Sequence, residues 1–311
     1  MFRNTVSTTG IGSLPEIAWS VLRCPQCSGR LDRSVLSVDC DGCGTRFPAP
    51  AGGSLDLRLQ RPRTMRVDLE VGTQTVPDGF TFDPLRQNPR PQVDFSGIGA
   101  LWHMNDALRS YFPKASGPDA IALDLGCGTG LHRGLVERAG FQWVGLDYAE
   151  PGAPLHGDAH ALPFSDAAVE FVLSMAVLEH LRYPFVAAGE VARVLRPGGI
   201  YLGSVSFLEP FHGDSYYHHT RLGVYNTLSS AGFEVLHVSP QAQWSGLKAQ
   251  AAMTLFPRMP AALQSAVVWP VETLSKLWWR LGAHFNPSAT ETKRLCESTG
   301  GFEFIARKRV A

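Results

Sequence analysis

Two groups of residues in this 311-residue chain have the types and spacing that chemistry needs. The first is Cys24-Pro-Gln-Cys27 followed by Cys40-Asp-Gly-Cys43, two C-x2-C turns with twelve residues between them. A two-residue gap lets both thiolates of a turn face one ion, and two such turns supply a tetrahedron of sulfurs, the donor set that suits Zn²⁺. All four positions are taken, so such a site is closed and structural. Four of the six cysteines fall in these twenty residues, which points to metal binding in a reducing compartment and away from a disulfide framework.

The second group is Ala122-Leu-Asp-Leu-Gly-Cys-Gly-Thr-Gly130. An apolar run enters it and a helical pattern leaves it. Gly126, Gly128 and Gly130 permit a sharp turn and a close approach by a ligand. Nucleotide-binding folds share such loops, so charge must discriminate among ligands. Asp124 precedes the first glycine by two residues, where its carboxylate would repel a pyrophosphate and attract a cationic amino group. The pattern is G-x-G-x-G, without the extra residue of a dinucleotide fingerprint, and no G-x-x-x-x-G-K-[ST] loop occurs here. S-adenosylmethionine, with an amino acid moiety, a sulfonium and no phosphate, fits. Asp147 ends the next apolar run, where a carboxylate accepts from both ribose hydroxyls. Asp158, in Gly157-Asp158-Ala159, can accept from an adenine amino group; a turn aspartate is the plainer reading.

These pieces carry a resemblance. LDLGCGTG, VGLDYAE, GDAHALPFSDAAVEFVLSMAVLEHL and RVLRPGGIYLGSV follow one another as in class I S-adenosylmethionine-dependent methyltransferases of the small-molecule branch related to ubiquinone-biosynthesis enzymes. The resemblance covers residues 120–240. It implies a mostly parallel sheet with one reversed C-terminal strand. It also implies cofactor contacts at Asp124, Gly126, Cys127, Gly128, Gly130, Asp147, Tyr148, Asp158, Ala159 and Met175. Residues 20–57 resemble the small zinc-ribbon-like domains fused to, or acting beside, methyltransferases. The chain departs from the family after Asp147, where YAEPGAPL leaves no room for a crossover helix.

Methyl transfer from a sulfonium is an in-line displacement that needs alignment, and a base only where the acceptor must lose a proton. His180, after the fourth apolar run, is the first candidate base; a structural hydrogen bond is the competing role. His218 and His219 lie in the polar stretch 211–220, where relatives place substrate contacts but for which an exposed polar loop is the plainer reading. His103 sits in the connector and could close over a pocket.

The elements that must position these groups form an α/β architecture: a doubly wound, Rossmann-like sheet of seven strands, mostly parallel with one antiparallel. Strands are expected at 120–125, 142–147, 154–158, 169–175, 199–206, 233–239 and 302–308. Helices are expected at 131–139, 184–195 and 221–230, the last capped by Thr220. Residues 1–60 read as the zinc-ribbon-like domain and 61–118 as a connector whose segment 98–112 is a pocket-covering helix. Residues 119–311 read as the cofactor-binding domain, with a helical insertion at 241–300 that contains Trp244, Trp269, Trp278 and Trp279. Segment 260–282 suits weak contact with a membrane surface, packing on its own domain, or a homodimer face.

Composition excludes some classes. With 44% hydrophobic residues the chain can bury a core. Lys+Arg and Asp+Glu are both 28, which argues against a protein built mainly to grip nucleic acid. No apolar stretch suits a signal peptide or a membrane span, so a soluble, cytoplasmic protein is expected. The expected activity is methyl transfer to a small or medium-sized acceptor such as a natural product, sugar or lipid-like molecule. One alternative is an RNA methyltransferase gripping RNA through the ribbon, since residues 1–66 hold nine Arg against five Asp or Glu. Another is an enzyme that uses the cofactor without methylation, for instance by cyclising it.

Overall fold

Apolar runs that are buried on both faces make the central strands, as expected for parallel pairing under helices. β5 (Ile121–Leu125) is buried throughout, and β8 (Val169–Met175) and β6 (Gln142–Asp147) nearly so. A computed structural model of the chain describes residues 14–48, 54–69, 76–99, 101, 103–286 and 290–310. With β4 (Leu55–Asp56), β7 (Leu155–His156), β9 (Leu195–Ser206), β10 (Phe233–Pro240) and β11 (Gly301–Lys308), these strands form a sheet ordered β10-β11-β9-β8-β5-β6-β7-β4. Every neighbouring pair is parallel except the two that β11 makes. From β5 the chain winds outward through β6 and β7, then returns to β8 and winds the other way. The strand order therefore reverses between β5 and β8, which opens a crevice at the carboxyl ends of these strands.

All seven expected strands are present, and β4 is an eighth. It comes from the N-terminal region and extends the sheet beside β7, held by Leu55 N–H to Pro154 O and Leu57 N–H to His156 O, both 2.9 Å. No sequence periodicity announces a two-residue strand. What draws it there is the edge left bare by the short 148–154 turn. A separate three-stranded antiparallel sheet, β1 (Leu31–Arg33), β2 (Ser37–Cys40) and β3 (Arg46–Pro48), carries two of the cysteines close to its turns. Leu22, Val38, Phe47 and Leu57 of this region join one hydrophobic core with Leu125, Leu146 and Phe164 of the main sheet.

The helices differ from expectation in one place. The run 98–112 yields only α2 (Asp106–Arg109). Asn105 caps it by accepting from Leu108 N–H, and His103 just before has φ +63°, outside helical geometry. The Arg109 guanidinium donates to the carbonyls of Ile98 and Gly99, which a helix would have needed for itself. α3 (Arg133–Arg138), α4 (Pro184–Val194) and α5 (Arg221–Ser230, with Thr220 as its cap) fall where the sequence puts them. The insertion is helical: α6 (Gly246–Gln250), one wider turn at Ala251–Leu255, α7 (Ala261–Phe285) and α8 (Glu291–Ser298). α7 buries Val268 and leaves Leu263, Val267, Leu274, Trp278 and Leu281 exposed. Among the described residues no helix is long and apolar enough to cross a membrane.

Candidate functional site

The crevice at the switch point is a cleft of about 970 Å³. Its floor is the turn from β5 into α3. Gly126 there has φ +69°, a left-handed conformation that favours glycine, and a Cβ would sit 2.4 Å from Val177 Cγ2. The N–H groups of Gly126 and Cys127 donate to Leu146 O at 2.8 and 3.1 Å, which pins the loop to β6.

The three aspartates take different stations. Asp147 lines the cleft at the end of β6. Its Oδ2 accepts from Gly128 N–H at 3.0 Å and its Oδ1 from the N–H groups of Ala149 and Glu150 at 2.9 and 3.0 Å. One carboxylate thus holds the glycine loop and the turn that replaces a crossover helix. Asp158 also lines the cleft. Burial pushes its pKa up, but hydrogen bonds from the His160 ring and backbone prevail and hold it below the usual range. His160 Nδ1 lies 2.6 Å from Asp158 Oδ1, and Tyr183 N–H donates to His160 Nε2. That fixes the ring with its proton on Nδ1. Asp124 is 2% exposed and lies beneath the loop, outside the cleft wall, where its Oδ2 accepts from Trp143 Nε1–H at 3.0 Å. Burial, with repulsion from Asp147, pushes its carboxyl up to about 7 against the pull of that hydrogen bond.

Of the other expected cofactor residues, Gly126, Tyr148 and Ala159 line the cleft. Cys127, Gly128, Gly130 and Met175 stand behind or beside it, and burial drives the Cys127 thiol well above its ordinary value. A rim that the sequence did not point to comes from the start of the connector: Leu59, Pro62, Arg63 and Met65. Among the described residues, segment 98–112 contributes none of the wall, and residues 59–65 supply the rim on that part of the chain. Three of the nine arginines in residues 1–66, Arg58, Arg61 and Arg63, bond to the protein itself. Arg58 pairs with Asp56 at 2.6 Å and lies over the Tyr148 ring, Arg61 donates to Thr45 Oγ1, and Arg63 donates to Pro25 O.

His180 lines the cleft on a short 3-10 turn, Leu178–His180. Burial and the neighbouring His212 hold its pKa below the ordinary value. His218 lies off the cleft, with Nδ1 bonded to Phe207 O at 2.9 Å. His219 is 8% exposed, stacked on Tyr217 and driven down to about 4 by burial. His219 is an interior residue, so the expectation of it as a base at the substrate does not survive; the chain after β9 turns it inward to follow Ser206 O, which accepts its backbone N–H.

The four cysteines converge. The sulfurs of Cys24, Cys27, Cys40 and Cys43 lie within 4.8 Å of one another, with Cys24–Cys43 at 3.8 Å and Cys27–Cys40 at 3.4 Å. Four sulfurs each about 2.3 Å from a central zinc would stand about 3.8 Å apart. A Cβ on Gly29 would come within 3.0 Å of Cys40 Sγ, so the turn must be this small. The donor set and spacing fit a Zn²⁺ ion.

With this geometry in place, comparison with known proteins adds what the chain is similar to. Residues 123–203 match the family profile described as "Methyltransferase domain". That stretch, from β5 into β9, is thus similar to a methyltransferase domain. Its relatives include a Mycolicibacterium smegmatis protein called "Probable S-adenosylmethionine-dependent methyltransferase", 33% identical over 36% of this chain and 51% of its own length. An uncharacterized methyltransferase of Mycobacterium leprae is 33% identical over 30% of this chain and 40% of its own length. The chain thus spans about half the length, or less, of the curated relatives it matches. Among solved structures, the S-adenosylmethionine-dependent methyltransferase of Mesorhizobium loti is similar at 16% identity, with 65% of this chain and 96% of that one covered and a TM-score of 0.41.

Further residues stand near the cleft, among them His212 and Tyr216 of the polar stretch 211–220. Glu179 is fully buried beside His180, and His212 stands against the His180 ring with centroids 5.3 Å apart. They lie some thirty positions apart in sequence, so only the return of the chain after β9 brings them together. Tyr216 and Arg182 meet at the cleft mouth, with the guanidinium 5.6 Å from the ring centroid.

Proposed function

We propose that the cleft binds S-adenosylmethionine and that the chain catalyses methyl transfer to a small or medium-sized acceptor. The observation that carries this reading is the placement of Asp147 and Asp158 at the ends of the adjacent strands β6 and β7, beside the turn after β5 whose glycines leave the backbone open. Carboxylates there suit ribose hydroxyls and an adenine amino group and oppose phosphates. The bound cofactor supplies an electrophilic methyl group: the acceptor's lone pair forms the new bond as the carbon–sulfur bond breaks and its electrons pass to sulfur. The protein's own part is alignment and exclusion of water. Asp147 holds the glycine loop, and residues 59–65 close the rim. His180, with its pKa held down, is a neutral imidazole at physiological pH, able to take a proton from the acceptor.

Two further parts of the reading follow. Cys24, Cys27, Cys40 and Cys43 hold a structural zinc that fixes the N-terminal ribbon. The acceptor enters from the side of His180 and Tyr216. Calorimetry of S-adenosylmethionine and S-adenosylhomocysteine against the folded chain tests the cofactor. Binding is expected for both and is expected to be lost in Asp147→Ala; absence of heat with either would sink the reading. Product analysis tests the reaction. S-adenosylhomocysteine is the product of methyl transfer, whereas methylthioadenosine would mean attack at another carbon.

A further inference from the structure

Where His180 reaches the cleft, donor atoms of Glu179, His180 and His212 lie within 4.8 Å of one another. They come from the turn after β8 and the loop after β9. Three independent features indicate that this cluster is built for a ligand.

The first is an orphaned carboxylate oxygen. Glu179 is 0% exposed, and its Oε2 has no hydrogen-bond partner. Its Oε1 lies 2.7 Å from Ser206 Oγ, but that hydroxyl is also 2.8 Å from Glu209 Oε2. One hydroxyl has one proton and cannot serve both. The charged neighbours of Glu179 are Glu209, which repels it, and His212. A buried, ionised carboxylate with so little compensation is costly, and either a proton or a cation against it relieves that cost.

The second feature is the tautomer of His212. Its Nδ1 lies 3.0 Å from Pro210 O. A carbonyl only accepts, so Nδ1 carries the proton and Nε2 presents a lone pair. A backbone carbonyl holding the other ring nitrogen is the arrangement that orients metal-ligating histidines.

The third feature is position. His180, Gly213 and Asp214 all line the cleft. Two imidazoles and one carboxylate suit a first-row divalent cation, and three protein ligands leave coordination positions open. A dication with one carboxylate keeps a net positive charge that attracts an anionic oxygen.

We propose that Glu179, His180 and His212 bind a divalent transition-metal cation at the wall of the cleft, where it receives an oxygen atom of the methyl acceptor. The role at the acceptor rests on the methyl-transfer reading; the metal site does not. The cation lowers the pKa of a bound hydroxyl. With the cation bound, His180 serves as a ligand in place of the base role: the hydroxyl proton passes to solvent, the oxygen's electron pair forms the bond to the methyl carbon, and the sulfur departs with the old bonding pair. The acceptor class is accordingly a hydroxylated or phenolic molecule.

The test uses the full chain with zinc in the cysteine ribbon, titrated with Co²⁺. The expected result is one further equivalent of cobalt whose visible absorption lacks a thiolate charge-transfer band, which separates it from any cobalt that displaces ribbon zinc. Glu179→Gln and His212→Asn are each expected to weaken that uptake at least about a hundredfold, since loss of even an outer partner of a ligand costs about 10- to 100-fold. Unchanged circular dichroism and ribbon zinc show that the variants are folded. Catechol, a paired oxygen donor, is expected to shift the cobalt spectrum of the wild type. No cobalt beyond the ribbon, or equal uptake by both variants, overturns the metal site. An unmoved spectrum with catechol overturns its role at the acceptor. Failure of the methyl-transfer reading would show separately, as absent S-adenosylhomocysteine binding with cobalt uptake intact.

Discussion

Two opposed pH dependences meet in the Asp124 carboxyl. It is fully enclosed and pushed up to about 7 from an ordinary 3.8. In the free protein the folded state therefore keeps a proton that the unfolded chain gives up. The group contributes no penalty below about pH 3.8, costs about 1.4 kcal/mol per pH unit up to about pH 7, and is constant above. Cofactor binding runs the other way. A cationic amino group at the glycine loop favours the ionised carboxylate, so affinity falls as pH drops through 7. Between pH 7.5 and 5.5 both effects come to about 2 kcal/mol, or about 25-fold in affinity. Asp124→Asn keeps an acceptor for Trp143 Nε1 and cannot titrate. Urea unfolding at pH 5.5, 6.5 and 7.5 is expected to show the variant gaining about 2 kcal/mol on the wild type across the range. Calorimetry with S-adenosylmethionine is expected to show a pH-dependent affinity for the wild type and a flat one for the variant. A stability difference that does not change with pH, or wild-type affinity that is flat, would refute the reasoning.

Other perturbations probe separate parts of the structure. Gly126→Ala places a side chain at φ +69° and 2.4 Å from Val177 Cγ2. It is expected to cost about 2–5 kcal/mol in urea unfolding. Adding Val177→Ala should restore the packing part and leave the backbone part; full restoration would show that the left-handed conformation is not required. Glu303, 2% exposed and bonded to Asn105, is pushed up to about 8 by burial. Wild-type stability is therefore expected to fall by about 1.4 kcal/mol per pH unit between pH 4.5 and 8 relative to Glu303→Gln, and parallel stability curves would contradict this. Chelation of zinc, or Cys43→Ser, is expected to weaken S-adenosylhomocysteine binding at least about tenfold, corresponding to loss of about 1.4 kcal/mol of rim contacts. Calorimetry after chelation checks it, and unchanged affinity would detach the ribbon from the cleft.

Much of this arrangement was legible in the order of residues, because it is made by local rules. Uninterrupted apolar runs gave β5, β6, β8 and β11 almost to the residue. Thr220 and Gly232 bracketed α5. The cysteine spacing foresaw a convergence of four sulfurs. What escaped is what depends on distant parts of the chain. β4 exists because Leu55 finds the bare edge beside Leu155, a hundred positions away. The helix read at 98–112 failed because Arg109 captured the carbonyls that would have propagated it. Asp124 is in the expected strand, yet Trp143 on the neighbouring strand claims its carboxylate. Glu179 and His212 carry no spacing signature, since only the fold sets them side by side.

Arg63 stands in the cleft wall and donates to the carbonyl of Pro25, the residue between Cys24 and Gln26 in the first cysteine turn. Arg61 and Gln26 exchange hydrogen bonds at 3.1 and 3.4 Å just behind it. With zinc in the cysteine site and a nucleoside in the cleft, the two would pull on opposite ends of one short strap. Thermodynamic linkage makes such a pull mutual: whatever tightens one end tightens the other by the same factor. Loading the nucleoside should therefore slow the escape of zinc to a competing chelator, and a shortage of zinc should loosen the nucleoside grip while the eight-stranded sheet stays whole.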